Sequence, residues 1–427
     1  MKKALSILLV CGLLCLCACG KAPQKEDAPQ ATITGNYKAA VAAIDSGDYR
    51  TAYDLLKNDT SEQSKELLSR FVFVPTTVTS NIKGEDYSYD FSTVLTYDES
   101  GNPLTHVHTD KGNAVETVYT YADGCLIKEV ATSDGYTRTT EYAYDNAGHL
   151  IRKHFATEDV FGDGTRTGQT TYTYVYDDKG NLTEEKRVSV YSNGGEEATT
   201  TYQYNAAGKE TLKRTSFKSG SWSEYTTEYR ADGTLYKVTE RHSGGKLVTV
   251  NEYDEKERLW KEWFDPTDEE PYVNKEYTYD AADRVVKIAR VSGADYYTYD
   301  DKGNLIEESD GVDRTVYIYD EQGNCLSITR LSLTDEVKWT RVYTYDANGN
   351  VLTDVITYSS GYAESTTNTY DADGNRTAQV YTGYSSETGS PITITEAVEW
   401  TLFYYPDEIP AVVEDELYSL ALPPNMA

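Results

Sequence analysis

Between about residue 72 and residue 400 the chain is a succession of short runs. In each, a ring or aliphatic side chain alternates with Thr, Ser or a charged residue, and the run stops at a cluster of Asp, Gly and Asn. The stretch Tyr343-Thr344-Tyr345-Asp346-Ala347-Asn348-Gly349-Asn350-Val351-Leu352 shows the arrangement. Its two rings are two residues apart, so on a strand they share one face. Asp346 opens a turn, because a short carboxylate accepts from the backbone N–H groups just beyond it. Gly349, three residues later, takes a positive φ without steric penalty. Val351 starts the next apolar run. Strand, Asp-x-x-Gly turn and strand predict a β-hairpin with a type I turn and a glycine bulge.

The unit recurs about twelve times. Aligned on the ring before the turn, full copies sit at Tyr97, Tyr144, Tyr176, Tyr299, Tyr319, Tyr345 and Tyr370. Weaker ones sit at Tyr121, Tyr204, Tyr229, Tyr253 and Tyr279. The spacing of roughly 20 to 32 residues marks a repeat architecture. Residues 72–400 therefore read as one β array, although a length of 427 by itself suggests two or three domains. Units such as Tyr176-Asp177-Asp178-Lys179-Gly180-Asn181-Leu182 resemble the YD repeats of RHS-type bacterial surface and secreted proteins. The resemblance implies a long antiparallel meander that coils into a curved or spiral sheet. Large members of that family wind far more repeats into a closed shell around a C-terminal toxin, with an Asp-Pro-containing self-cleavage segment. No such segment is found here, and about a dozen hairpins predict an open, curved or twisted sheet rather than a sealed cage.

The array is flanked by other patterns. Met1-Lys2-Lys3 precedes an uncharged apolar run from Ala4 to Ala18. That run is shorter than the about 20 residues of a spanning helix, so 1–18 reads as an export signal. Leu16-Cys17-Ala18-Cys19 resembles a bacterial lipobox, which implies cleavage before Cys19, lipidation of its sulfur, and a membrane anchor on the extracytoplasmic face. Residues 19–34 are polar, contain Pro23 and Pro29, and read as a flexible tether. From 35 to 71 the apolar spacing becomes helical, at Tyr37, Ala40, Val41 and Ile44, then Tyr49, Ala52, Tyr53 and Leu56, then Leu67, Leu68 and Phe71. The link Ser46-Gly47-Asp48-Tyr49 resembles the turn of a tetratricopeptide (TPR) helical hairpin. One such unit cannot bury its own faces, so it is expected as a small α-helical cap over the first strands, with a peptide-docking groove as the alternative. Residues 401–427, with Ile409, Val412, Val413, Leu417 and Leu420, read as a tail capping the last strand.

Charge and chemistry narrow the function. A formal charge of −30 argues against nucleic acid as a partner and against binding of anionic lipid through the body. Cys125 and Cys325 each follow a turn glycine, read as drift in the repeat, and make no Cys-based metal site. His106 and His108 share a strand face but lack an identifiable third ligand. Asp346-x-Asn348-x-Asn350 and Asp371-x-Asp373-x-Asn375 space oxygens as calcium loops do. Their glycine falls at the fourth position and no bidentate Glu follows at the twelfth, so they read as turns. Asp159 and Asp163, in a longer insertion, are a weaker calcium candidate. No nucleophile elbow, His-Glu-x-x-His motif or phosphate loop is present, so neither catalysis nor a cofactor is expected.

Tyrosine makes up 39 of the 427 residues, which suits a sheet with one wet face, since the ring packs while the hydroxyl reaches water. Trp222, Trp260, Trp263, Trp339 and Trp400 are the candidate binding residues; Trp260 and Trp263, three apart, face opposite sides of a regular strand. These features lead to an envelope-anchored, non-catalytic module that binds a cell-wall or host glycan, or a surface protein, through its repeated β face. A structural spacer or scaffold, and an RHS-related component of contact-dependent competition, are the alternatives.

Overall fold

The computed structural model describes residues 35–405, apart from 162–163, 193, 246, 267–269 and 386–388. The expected signal 1–18, Cys19, the tether 19–34 and tail residues 406–427 lie outside the described residues. Three helices, α1 (Gly35–Asp45), α2 (Tyr49–Leu56) and α3 (Glu62–Leu68), precede 26 strands that run from Phe71–Lys83 to Pro391–Tyr404. The fold is mainly β, as the alternation predicts. The described residues divide into two compact units, 35–81 with 89–169 and 396–405 in one, 82–88 with 170–395 in the other.

Each full repeat closes its turn in the same way. The Asp346 N–H donates to the Asn350 carbonyl at 2.9 Å, and the Gly349 N–H donates to the Asp346 carbonyl at 3.2 Å. Oδ1 of Asp346 accepts from the N–H groups of Asn348 and Asn350, and Oδ2 accepts from Nδ2 of Asn350, all at 2.9 Å. Gly349 sits at φ 85°. Asp98, Asp177, Asp300, Asp320 and Asp371 take the same side-chain bond from Asn102, Asn181, Asn304, Asn324 and Asn375. Where Asn is missing the donor survives: Nε of Arg258 and of Arg284 reaches Asp254 and Asp280 at 2.7 Å, and Nδ1 of His149 lies 3.0 Å from Asp145. The two Arg repeats also lack the glycine, and Glu257 and Asp283 stand there at φ 60° and 64°. That left-handed backbone disfavours a side chain, so the Asp clamp holds the turn even without glycine. Beyond the turn the return strand carries one extra residue, a β-bulge: Thr344 faces Thr353 and Tyr345 faces Val351, with Leu352 between.

The ladder between one hairpin and the next stops short of the turn. Its last pair between the strands Cys325–Ser332 and Val337–Tyr345 is Ser327 with Val342. Two residues before Ser327, the carbonyl of Cys325 accepts the hydroxyl of Tyr345, three residues past Val342, at 2.7 Å. The same offsets recur at Tyr319 on Leu305, Tyr299 on Val285, Tyr279 on Leu259, Tyr204 on Leu182, Tyr144 on Leu126 and Tyr370 on Val351. The repeat tyrosine thus replaces a backbone hydrogen bond where the strands part, which stabilises each junction by about 1 kcal/mol net.

The strand pairing corrects the open sheet expected from the sequence. The first strand, Phe71–Lys83, pairs with the second and also with the last, so the 26 strands close on themselves as an antiparallel barrel. The part of the joint formed by 71–81 and 396–405 lies within one compact unit. Val74 and Tyr405 are almost fully buried there, with Val72, Tyr97 and Phe403 packed on them. The Tyr405 N–H donates to the Arg70 carbonyl and its hydroxyl to the Gly101 carbonyl, both at 2.9 Å. Tyr97 donates to Pro75 at 2.8 Å, so the first strand stands in for a preceding repeat. Residues 401–404, expected as tail, belong to the last strand. The helices fold from local signals: Asp48 caps α2 through the Thr51 N–H, and Ser61 caps α3 through the Ser64 N–H. Ala40, Ala52 and Leu56 of α1 and α2 are buried with Phe71 of the first strand, and Leu402 and Tyr404 of the last pack against them. An unpaired edge invites pairing with other chains; here the two strands that would form the edges take each other.

The hydroxyl of Tyr345 is expected to matter where the ring alone does not. Tyr345→Phe leaves the Cys325 carbonyl without that donor and should lower unfolding free energy by about 1–2 kcal/mol. Tyr296→Phe, at a half-exposed ring, should change it by less than about 0.5 kcal/mol. Chemical denaturation of both variants checks this, and equal effects would remove the junction role.

Candidate functional site

The register assigns the repeat rings to one face. Tyr317 faces Ile328, Ile328 faces Arg341, and Arg330 faces Trp339, so these residues share a side with Tyr343. Ile328 is 1% exposed and Thr315, on the same side, 3%, whereas Ile318 and Val342 on the other side are 55% and 45% exposed. The tyrosine face is therefore the sheltered one here, and the wet face is the Thr- and Val-bearing one.

Carboxylates sit among the sheltered rings. Tyr225 donates to Glu240 at 2.5 Å and Tyr317 to Glu308 at 2.8 Å. In the other unit Tyr142 donates to Glu129. The Glu240 hydrogen bond and burial push the Tyr225 hydroxyl up to about 12. Burial does the same for Tyr319, Tyr343 and Tyr381, also to about 12. Burial raises the carboxyls of Glu185 and Glu210, with Lys213 opposing it in both. The guanidinium of Arg341 bonds Asp354 and lies 5.3 Å from the Tyr343 ring. Hydroxyls held protonated in this way act as donors, and those of Tyr142, Tyr225, Tyr317 and Tyr319 already have acceptors.

The tryptophans do not form one platform. Trp339 lies on the tyrosine face, across from Tyr358. Trp263 lies on the opposite one, across from Val250, which faces Thr239; both of these are almost fully buried. Trp260 occupies the bulge position of its repeat, with Nζ of Lys261 5.4 Å from its ring. Trp222 lies under the guanidinium of Arg214 at 4.5 Å, beside the Arg214–Glu224 ion pair. Trp400 alternates with exposed neighbours on the last strand, on the side of Ile394 and Val398. All five rings are half-buried.

The candidate cation sites resolve differently. Asp346 and Asp371 each accept two backbone N–H groups and an Asn side-chain amide. Those amides point donors at the carboxylate and occupy the oxygens a calcium ion would need. Asp163 lies outside the described residues. Nδ1 of His108 is 3.0 Å from the Thr93 hydroxyl. No group of three His, Cys, Asp or Glu suited to a metal ion occurs among the described residues.

Sequence reasoning missed two groupings. The Glu partners of the rings come from neighbouring strands, and only the register shows which Glu meets which Tyr. The second is the cluster in which Asp313, 7% exposed, takes Nη2 of Arg330 at 3.0 Å and Nζ of Lys338 at 2.5 Å. Hydrogen bonding from Lys338, with Arg330 second among the cations, holds the Asp313 carboxyl below its ordinary range.

An alkaline titration tests the sheltered face. Folded pKa values near 12 against an ordinary 10.0 mean stability that is complete below pH 10 and lost as the pH rises towards 12. The tyrosinate absorbance of these rings is expected to appear together with loss of the β circular-dichroism signal. Smooth ionisation centred at pH 10 in a still-folded sheet would sink the assignment.

Comparison with known proteins follows the repeat. Residues 299–332 match the RHS Repeat family. No curated protein matches the chain. Among solved structures it is similar to that of TcdB2-TccC3-TEV, at 15% identity and a TM-score of 0.34, over 69% of this chain and 20% of that one. The chain thus spans about a fifth of that protein's length. Two porin-like proteins also align. That from Bacteroides vulgatus has 15% identity and a TM-score of 0.23, over 41% of this chain and 95% of its own. That from Bacteroides uniformis has 13% identity and a TM-score of 0.19, over 76% and 98%. At such scores these likenesses carry no argument; the family match identifies residues 299–332 as an RHS repeat, and Tyr-Asp-x-x-Gly-Asn turns of the same form recur along the array.

Proposed function

We propose that this protein is a non-catalytic, RHS-related scaffold carried at the bacterial cell envelope on a lipid anchor at Cys19. The observation that supports a scaffold is the use made of the repeat's own chemistry. The turn Asp is spent on its turn, and the tyrosine hydroxyl on the carbonyl of the repeat before it. Rings and hydroxyls committed in this way are unsuited to stacking on or hydrogen-bonding a sugar, which weakens glycan capture through the tyrosine face. A protein partner would meet the other face where it is open, at exposed Ile318 and Val342. The anchor rests on the Leu16-Cys17-Ala18-Cys19 resemblance and the tether on residues 19–34. Two acyl chains on one cysteine suffice for stable attachment.

Two measurements test this. In a bacterial host the wild type should fractionate with membranes and Cys19→Ala should appear in the soluble extracytoplasmic fraction; a variant still in the membrane would refute the anchor. On glycan arrays the released Cys19→Ala chain is expected to give no specific signal. A reproducible glycan signal abolished by Trp222→Ala or Trp339→Ala would replace the scaffold reading with the binding one.

A further inference from the structure

The barrel has one joint unlike its others. Among the described residues, the other strand pairs whose register is resolved join strands consecutive in the chain, so separating the two still leaves them linked by their own connection. The pair of Phe71–Lys83 with Pro391–Tyr404 has no such connection. Its strands lie over 300 residues apart, as in the bond from the Thr76 hydroxyl to the Glu399 carbonyl at 3.3 Å. It is also the joint on which the helices sit. The Tyr404 ring lies 4.9 Å from Phe71 on the partner strand and 5.5 Å from Tyr49 of α2. Tyr53 of α2 meets Phe71 at 6.1 Å and Phe73 edge-on at 5.2 Å. One helical hairpin therefore touches both strands of the seam. Past the seam Tyr405 reaches into the first turn, where a Cβ on Gly101 would stand 2.6 Å from its hydroxyl oxygen.

We infer that this seam is the opening joint of the closed sheet and that the α1–α2 hairpin, with Tyr404 and Tyr405, is the clasp that holds it shut. Local opening proceeds where the fewest linked contacts break. At this joint no hairpin needs to be undone. The strands held by their turns would stay paired while the seam parts, and the barrel would become the open sheet with two edges that the repeats alone imply. The clasp needs no chemistry, only aromatic packing and two hydrogen bonds, so it can be weakened without touching a repeat.

Hydrogen exchange on the full chain, followed by mass spectrometry, tests the joint. In Tyr404→Ala, amides of 71–81 and 396–404 should exchange about tenfold faster than in the wild type, with 313–345 unchanged. Tyr405→Phe, which removes one hydrogen bond, should act in the same place to a smaller extent. Tyr345→Phe, the matching change inside the array, should leave the seam at its wild-type rate. Seam exchange unchanged in both clasp variants would overturn the inference. So would acceleration of 313–345 together with the seam in Tyr405→Phe, since the joint would then have no independent opening.

Discussion

The sheet depends on one bond made again and again: a tyrosine hydroxyl on a main-chain carbonyl of the preceding repeat. Twist and the bulge after each turn pull neighbouring strands apart near the Asp-Gly end, and the backbone ladder ends there. A sheltered carbonyl without a donor costs about 1–3 kcal/mol. Tyrosine spans the gap because its hydroxyl sits at the end of a rigid ring that itself packs on the sheet. Phenylalanine would keep the packing and lose the donor. The repeat at Tyr253 departs from the rule and shows what it demands. After Tyr229 the turn opens with Arg230 in place of Asp, and that guanidinium donates to the Leu235 carbonyl, the position the hydroxyl of the following repeat takes elsewhere.

The turns obey a second constraint of the same kind. The side chain following the glycine position must give the opening Asp a donor, and Asn, Arg and His all do so. The Arg repeats add a ring contact, with the guanidinium of Arg258 over Tyr279 at 4.3 Å and that of Arg284 over Tyr299 at 4.5 Å. Much of the acidity that looks like a binding property in the sequence is in this way structural. Bonds from Asn350, first its side chain and then its N–H, hold the Asp346 carboxyl below its ordinary range, ionised as an acceptor within its own turn.

Function follows from what these constraints leave unused. The repeated residues hold the array together, and the departures from the repeat mark where anything further happens. The seam is the largest departure, since there a strand outside the hairpin pattern, a helical hairpin and Tyr405 together do what a turn does elsewhere. The Asp313–Arg330–Lys338 cluster is another, three charges gathered from three strands.

The hairpin, its turn and the shared face of Tyr-x-Tyr were legible in the sequence, because each is set by residues within about ten positions of one another. So were the three helices, whose apolar spacing and capping Asp48 and Ser61 are equally local. The rings pack as expected, but hydroxyls expected to reach water bond a carbonyl or a carboxylate instead: alternation shows which residues share a side, and only packing shows which side is sheltered. Closure lay further out of reach. It requires Phe71–Lys83 to meet Pro391–Tyr404 and α2 to rest on both, and no local pattern encodes a register between strands at opposite ends of the array. The tryptophans show the same division, since the spacing of Trp260 and Trp263 already separates them, and only the register shows that one fills a bulge and the other lies opposite the tyrosines. Short-range stereochemistry determined the repeating unit; the long-range meeting of the first and last strands, decided only in three dimensions, made those units a barrel.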